Sequence, residues 1–148
     1  KELGGDGWHL SIFGKGPEAR RLATIVNRSE LSARASFMGW VPRDTLWSQV
    51  DLLLSASIHE GMPNAVLEAI AAGVPVLASD IPAHREILPR DQLLPLNDVK
   101  QWRSALDDIL AAPQHRLPAM VENQRRSSAH LRFDWDAEVV RMILGDGR

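Results

Sequence analysis

Five short apolar runs alternate along the chain with longer segments whose apolar residues recur at helical spacing. We predict strands at residues 8–14, 35–39, 51–57, 74–79 and 92–96. Short runs of this kind, bounded by glycine, proline or polar residues, are typical of strands. The run at 51–57 is almost continuously apolar, which predicts a parallel strand covered on both faces.

The segments between these runs have the apolar repeat of amphipathic helices. We predict helices at residues 17–28, 43–50, 63–72, 83–88, 98–111, 118–130 and 136–144. In the predicted helix at 17–28 the expected inward-facing residues are Leu22, Ile25 and Val26. In the predicted helix at 98–111 they are Val99, Trp102, Leu106, Ile109 and Leu110. Strands that alternate with helices predict an α/β fold: a Rossmann-like open parallel sheet with helices on both faces.

Composition narrows the class of protein. A chain of 148 residues favours a single domain, residues 1–148. The formal net charge of −2 gives no reason to expect a nucleic-acid partner. The lack of cysteine excludes disulfides and thiolate metal sites. Because no cluster of His, Asp and Glu has metal-ligand spacing, we predict no metal and no other cofactor.

Two carboxylates surround one predicted helix start. Glu60 precedes Pro63, where the helix should begin, and Glu68 follows it. Proline suits a first helical position, and the amides of residues 64–66 would then lack partners within the helix. Such a start attracts phosphate. In open parallel sheets, ligands bind beyond the carboxyl ends of the strands, and this loop follows a predicted strand.

The spacing of the two glutamates is compatible with nucleotide-sugar binding and also with a purely structural role. With a diphosphate at the helix start, one carboxylate could accept hydrogen bonds from a ribose and the other from a donor sugar. Alternatively, a glutamate near a helix N-terminus stabilises the helix by ~0.3–1 kcal/mol without any ligand. Spacing alone leaves both interpretations open.

A longer motif surrounds the two glutamates. Residues 37–88 contain F-x-G, then E-G-x-P-N-x-x-x-E-A-x-A-x-G-x-P-V, which begins at Glu60 and ends at Val76. The turn FGKGP at residues 13–17 and the triplet FDW at 133–135 lie outside that run. Together these segments resemble the C-terminal domain of retaining GT-B glycosyltransferases of the family 4 type. The resemblance implies the C-terminal half of a GT-B fold.

The resemblance also implies roles for individual residues. Glu60 would contact the donor sugar and act as the catalytic residue, and Glu68 would bind the ribose. Backbone near the helix start would hold the diphosphate, and backbone after F-x-G would line the base. The further substrate-binding residues are then Gly61, Met62, Pro63, Asn64, Ala65, Trp40, Val41 and Gly14.

The implied reaction transfers a sugar from a nucleoside-diphosphate sugar to an acceptor hydroxyl, with retention. The acceptor, a sugar, lipid or small molecule, would bind through an N-terminal domain. We expect residues 1–148 to be a fragment of a longer protein. It would lack both this N-terminal domain and the first βα unit of the nucleotide-sugar-binding domain, and we expect the isolated fragment to show no turnover. A cytoplasmic location is expected, with peripheral contact to the inner face of a membrane only through the missing half.

Two other functions fit the same fold. One is a non-catalytic Rossmann-like binding or regulatory module, and the other is a GT-B nucleotide-sugar epimerase.

The loop after residue 79 differs from the family pattern, because it lacks the usual glycines. In that loop Arg85 could neutralise phosphate or pair with Glu86 or Asp80. We predict that Trp47 and Trp102 pack in the core.

Overall fold

The structure, a computed structural model, describes residues 7–131. The predicted helix at 136–144 and the triplet at 133–135 lie outside these residues. The strands are β1 (Leu10–Phe13), β2 (Ala35–Gly39), β3 (Leu53–Ser55), β4 (Val76–Ser79) and β5 (Leu93–Leu94). The helices are α1 (Ala19–Asn27), α2 (Arg43–Leu46), α3 (Asn64–Ala71), α4 (Pro82–Arg85), α5 (Val99–Ala111) and α6 (Pro113–Ser127). Turns of 3₁₀ helix are Glu30–Ala33, Trp47–Gln49, Arg90–Gln92 and Ala129–Leu131.

All strand pairs are parallel, and the α/β prediction is confirmed. In the described part, the strands form two sheets where the sequence predicted one: β1 pairs with β2, and β4 lies between β3 and β5. Every residue of β4 is buried. The expectation that β3 is covered on both faces is wrong, because Leu54 is 38% exposed. Leu54 faces the opposite side of this edge strand from its half-buried neighbours.

The core lies between α3, β4 and the segment after α4. Its buried residues are Val66, Ala69, Val74, Val76, Ala78, Ile87 and Leu88. Trp47 packs against this cluster, as predicted. Trp102, which was also predicted to pack in the core, lies outside this cluster: it is half-buried, and its indole Nε1 donates a hydrogen bond to the Pro95 carbonyl at 2.9 Å. The core therefore fixes α3, which carries the central motif, against the middle strand of its sheet.

Two predicted helix faces differ from the structure. Leu22 and Ile25 of α1 are 41% and 53% exposed, and no residue of α1 is buried. Within the described part, this helix makes its main contacts with the 3₁₀ turn Glu30–Ala33 and not with a strand, which leaves its apolar stripe largely uncovered. Val99 is 78% exposed because it is the first residue of α5, directly after the capping residue Asp98, whereas Ile109 is buried as expected.

The helix α6 is attached to β4 by one buried side chain. It begins at Pro113, five residues earlier than the predicted helix, because proline is favourable at a first helical position. Gln124 Nε2 donates to the Val74 carbonyl at 3.1 Å, and its Oε1 accepts from Val76 N–H at 2.6 Å. Among residues 7–131, no helix is long and apolar enough to cross a bilayer.

Candidate nucleotide-sugar site

The predicted site surrounds the first turn of α3. The helix begins at Asn64 with Pro63 as its N-cap, within one residue of the prediction. Two of the amides expected to lack partners within the helix bind carbonyls just before it: Asn64 N–H donates to the Met62 carbonyl and Val66 N–H to the Pro63 carbonyl, both at 2.9 Å. Tight local bonds of this kind often satisfy the orphan groups at a helix end. Of the three amides, only that of Ala65 has no partner in the described part of the chain.

The other end of α3 has a fixed geometry. Gly73 has φ +73°, Gly73 N–H donates to the Ile70 carbonyl, and Val74 N–H donates to the Ala69 carbonyl. These two bonds form a Schellman motif, which glycine favours because it adopts positive φ without steric cost. The prediction that Gly73 ends the helix is confirmed. The chain passes directly from this turn into β4, so α3 is anchored at both ends.

Glu60 lies in the loop between β3 and α3, half-buried and hydrogen-bonded. Ser57 Oγ donates to Glu60 Oε1 at 2.7 Å. Ser57 is in turn held by Ser79 of β4, whose Oγ donates to the Ser57 carbonyl at 2.6 Å. Neither serine was identified from the sequence as part of the site. The only available signal was their position, at or just beyond the carboxyl ends of two strands.

The same chain of contacts continues to His84 of α4, which is fully buried. Its Nδ1 lies 2.8 Å from the Ser79 carbonyl oxygen, and since a carbonyl can only accept, Nδ1 carries the proton. Its Nε2 is buried without a hydrogen-bond partner in the described part. The ring therefore acts as a donor to the end of β4.

Glu68 lies in the second turn of α3, with its side chain 23% exposed. Arg43, the first residue of α2, donates from Nη2 to Glu68 Oε1 and is itself 73% exposed. This contact brings the start of α2 to the side of α3. Arg43 was not predicted as a site residue, although it lies only two positions after Val41, in the segment predicted to line the base.

The segment predicted to line the base is close to the turn after β1. Gly14 N–H donates to the Gly39 carbonyl at 2.7 Å, and both glycines have positive φ. Trp40 is 70% exposed and Val41 is half-buried. The structure thus places Gly14 beside the residues that precede Trp40. No hydrogen bond or ion pair within residues 7–131 joins Gly14 to α3.

The loop after β4 holds one close ion pair. Arg85 Nε and Nη2 donate to the two carboxylate oxygens of Asp80 at 2.6 and 3.1 Å. These hydrogen bonds lower the pKa of the Asp80 carboxyl and raise the pKa of Arg85. Of the two roles considered for Arg85, pairing with Asp80 is the one observed. Within the described residues, no group of three His, Asp or Glu could hold a metal ion; that the site needs no metal stays a prediction.

Comparison with known sequences identifies related proteins. A sequence model of the family described as "Glycosyl transferases group 1" matches residues 1–112. The O-antigen chain mannosyltransferase RfbU of Salmonella typhimurium is 32% identical, over 100% of this chain and 42% of the relative. The O-antigen biosynthesis glycosyltransferase WclY of Escherichia coli is 32% identical, over 72% of this chain and 30% of the relative. The chain thus spans less than half the length of these relatives.

Solved structures share the fold. The sucrose-phosphate synthase of Thermosynechococcus elongatus superposes with a TM-score of 0.72 and 26% identity, over 92% of this chain and 37% of that one. Anabaena Alr3699/HepE, solved with UDP, superposes with a TM-score of 0.74 and 19% identity, over 95% of this chain and 42% of that one. The resemblance to GT-B glycosyltransferases drawn from the motif is therefore confirmed, whereas retention of configuration stays a prediction. Because the family match covers 112 of 148 residues, the chain belongs to the glycosyl transferases group 1 family.

Proposed function

We propose that this chain is the donor-binding part of a glycosyltransferase and that it binds a nucleoside-diphosphate sugar. The observation that carries the proposal is the placement of two hydrogen-bonded carboxylates around the start of α3. Glu60 precedes that start and Glu68 follows it, and the Ala65 amide between them has no partner in the described part. Family membership supports the same function.

In this proposal each part of the site has one task. Glu60 accepts hydrogen bonds from the donor sugar, and Glu68 accepts them from the ribose. The backbone of residues 61–65, with the positive end of the α3 dipole, binds the diphosphate. Trp40 and Val41 line the base, with the Gly14 turn beside them. The large exposed fraction of Trp40 is consistent with a ligand-facing position.

The proposed reaction is displacement at the anomeric carbon with retention. The acceptor oxygen bonds to that carbon, the bond from the carbon to the diphosphate oxygen breaks, and the acceptor proton leaves with the diphosphate. Positioning and stabilisation of the leaving-group charge would supply most of the rate enhancement. Relatives named for O-antigen synthesis favour a sugar acceptor in polysaccharide or glycoconjugate synthesis. The proposed location is the cytoplasm, because nucleotide-sugars are made there.

The test is a screen of the complete protein against UDP-, GDP- and ADP-sugars with and without acceptor glycans. Transfer of a sugar with release of the nucleoside diphosphate is the expected result, and the anomeric configuration of the product reports retention. Release of free sugar without an acceptor would instead indicate an epimerase-like activity. Nucleotide binding without turnover would indicate a binding module, and no binding would overturn the proposal.

A further inference from the structure

We propose that Ser57 and Ser79 are positioning residues that set the orientation of Glu60. The proposal rests on the proposed function, in which Glu60 contacts the donor sugar. Neither serine needs to touch the ligand. They act through a continuous set of hydrogen bonds that runs from the buried strand β4 to the carboxylate.

The first link is the bond between Ser57 and Glu60. Ser57 Oγ donates to Glu60 Oε1 at 2.7 Å, a charge-assisted bond of the kind that is short and strong. Glu60 Oε2 accepts no hydrogen bond from the described residues. One carboxylate oxygen is thus fixed by the protein, and the other is left for a sugar hydroxyl.

The second link fixes Ser57 itself. Ser57 follows β3, where backbone pairing has ended, so its position depends on other contacts. Ser79 is fully buried at the end of β4, and its Oγ donates to the Ser57 carbonyl at 2.6 Å. This side-chain bond extends the connection between the two strands beyond the last paired residues of their backbones.

The third link holds the end of β4. The fully buried ring of His84 donates to the Ser79 carbonyl at 2.8 Å. Because His84 and Ser79 are both inaccessible to solvent, these bonds do not compete with water. The orientation of Glu60 is therefore determined by buried groups on β4 and α4, and a sugar-binding carboxylate gains from such preorganisation.

The test compares Ser57→Ala and Ser57→Thr in the complete protein. Ser57→Ala should lower kcat/KM for sugar transfer by roughly 10- to 100-fold, since small misplacements of a reacting group cost about that much. Affinity for UDP, GDP or ADP alone should change less than about twofold, because the nucleotide does not contact Glu60. Ser57→Thr keeps a hydroxyl and should restore part of the activity.

Two further variants separate positioning from simple loss of stability. Ser79→Ala should reduce transfer in the same direction as Ser57→Ala. Ser128→Ala is the matched control: its Oγ donates to the Gln124 carbonyl, and Gln124 binds the opposite, amino end of β4. This control should leave kcat/KM unchanged. Equal losses in Ser57→Ala and Ser128→Ala would overturn the proposal.

A double mutant distinguishes failure of this proposal from failure of the proposed function. If Ser57 acts through Glu60, adding Ser57→Ala to Glu60→Gln should cause little further loss. If Glu60→Gln lowers transfer while Ser57→Ala does not, the positioning role is wrong and the proposed function stands. If Glu60→Gln itself leaves transfer unchanged, the assigned role of Glu60 is wrong, and the positioning proposal fails with it.

Discussion

Arg43 and Glu68, which are 25 residues apart in sequence, form a side-chain ion pair between two helices: Arg43 Nη2 donates to Glu68 Oε1. The contact joins the start of α2 to the second turn of α3. Arg43 follows Trp40 and Val41, the residues assigned to the base. The pair therefore brings the proposed base and ribose sites into one region, and it leaves the second oxygen of Glu68 without a partner among the described residues.

Replacement of Glu68 by glutamine should weaken nucleotide binding about 10- to 100-fold in the complete protein. A hydrogen bond to a charged group contributes ~1.5–3 kcal/mol, and ~1.4 kcal/mol corresponds to tenfold in affinity. The melting temperature without ligand should barely change, because the side chain is not part of the core. Calorimetry with UDP, GDP and ADP measures the affinity. Unchanged affinity with stability lowered by ~0.3–1 kcal/mol would mean that Glu68 only compensates the helix dipole.

Replacement of Arg43 by alanine tests what the ion pair does for that carboxylate. If Arg43 orients Glu68, nucleotide affinity should fall about three- to tenfold, while stability changes little because exposed ion pairs contribute ~0–1 kcal/mol. Arg126→Ala is the matched control, since Arg126 forms an exposed pair with Glu122 on α6. A rise in affinity in Arg43→Ala would show instead that Arg43 competes with the ribose for Glu68.

The strands and the central motif could be predicted from sequence because both depend on local pattern. All five predicted strands occur, and α3 begins and ends within one residue of prediction. Periodicity identified the apolar stripe of α1, but it does not tell whether another element covers that stripe. Leu22 and Ile25 are exposed for this reason.

The pairing of Glu68 with Arg43 and the bond between Ser79 and Ser57 could not be predicted, because they depend on contacts between distant segments. Ser79 is 22 residues from Ser57, and Arg43 is 25 from Glu68. No local periodicity records which side chains meet across strands or helices. The local partners of the Asn64 and Val66 amides were not predicted for a different reason: these bonds depend on the exact geometry of one turn.

Replacement of Gly73 by alanine should lower the free energy of unfolding by about 1 kcal/mol or slightly more. Its φ of +73° costs an L-residue roughly 1–2 kcal/mol, offset in part by lower entropy of the unfolded chain. Space is not the cause, since an added Cβ would come only to 3.9 Å from Arg125 Nη2. Gly16→Ala, at a position without positive φ or close neighbours, is the control for urea denaturation. Equal stability of the two variants would contradict the strain argument.

Replacement of Gln124 by leucine should destabilise the domain by about 2–5 kcal/mol, the largest loss expected here. Gln124 is 1% exposed and satisfies both the Val74 carbonyl and the Val76 N–H. Leucine fills a similar volume but leaves these two buried groups unpaired, at about 1–3 kcal/mol each.

Two companion variants make the origin of that loss measurable by urea denaturation. Gln101→Leu removes a side-chain amide that binds only Asp98 on the exposed side of α5. The free energy of unfolding of this variant should therefore fall by less than about 0.5 kcal/mol. Gln124→Glu keeps an acceptor for Val76 N–H, but its ionised form cannot donate to the Val74 carbonyl. It should also place a charge in the core, so glutamate should be no better tolerated than leucine. If Gln124→Leu is as stable as Gln101→Leu, the two hydrogen bonds do not hold α6 against β4.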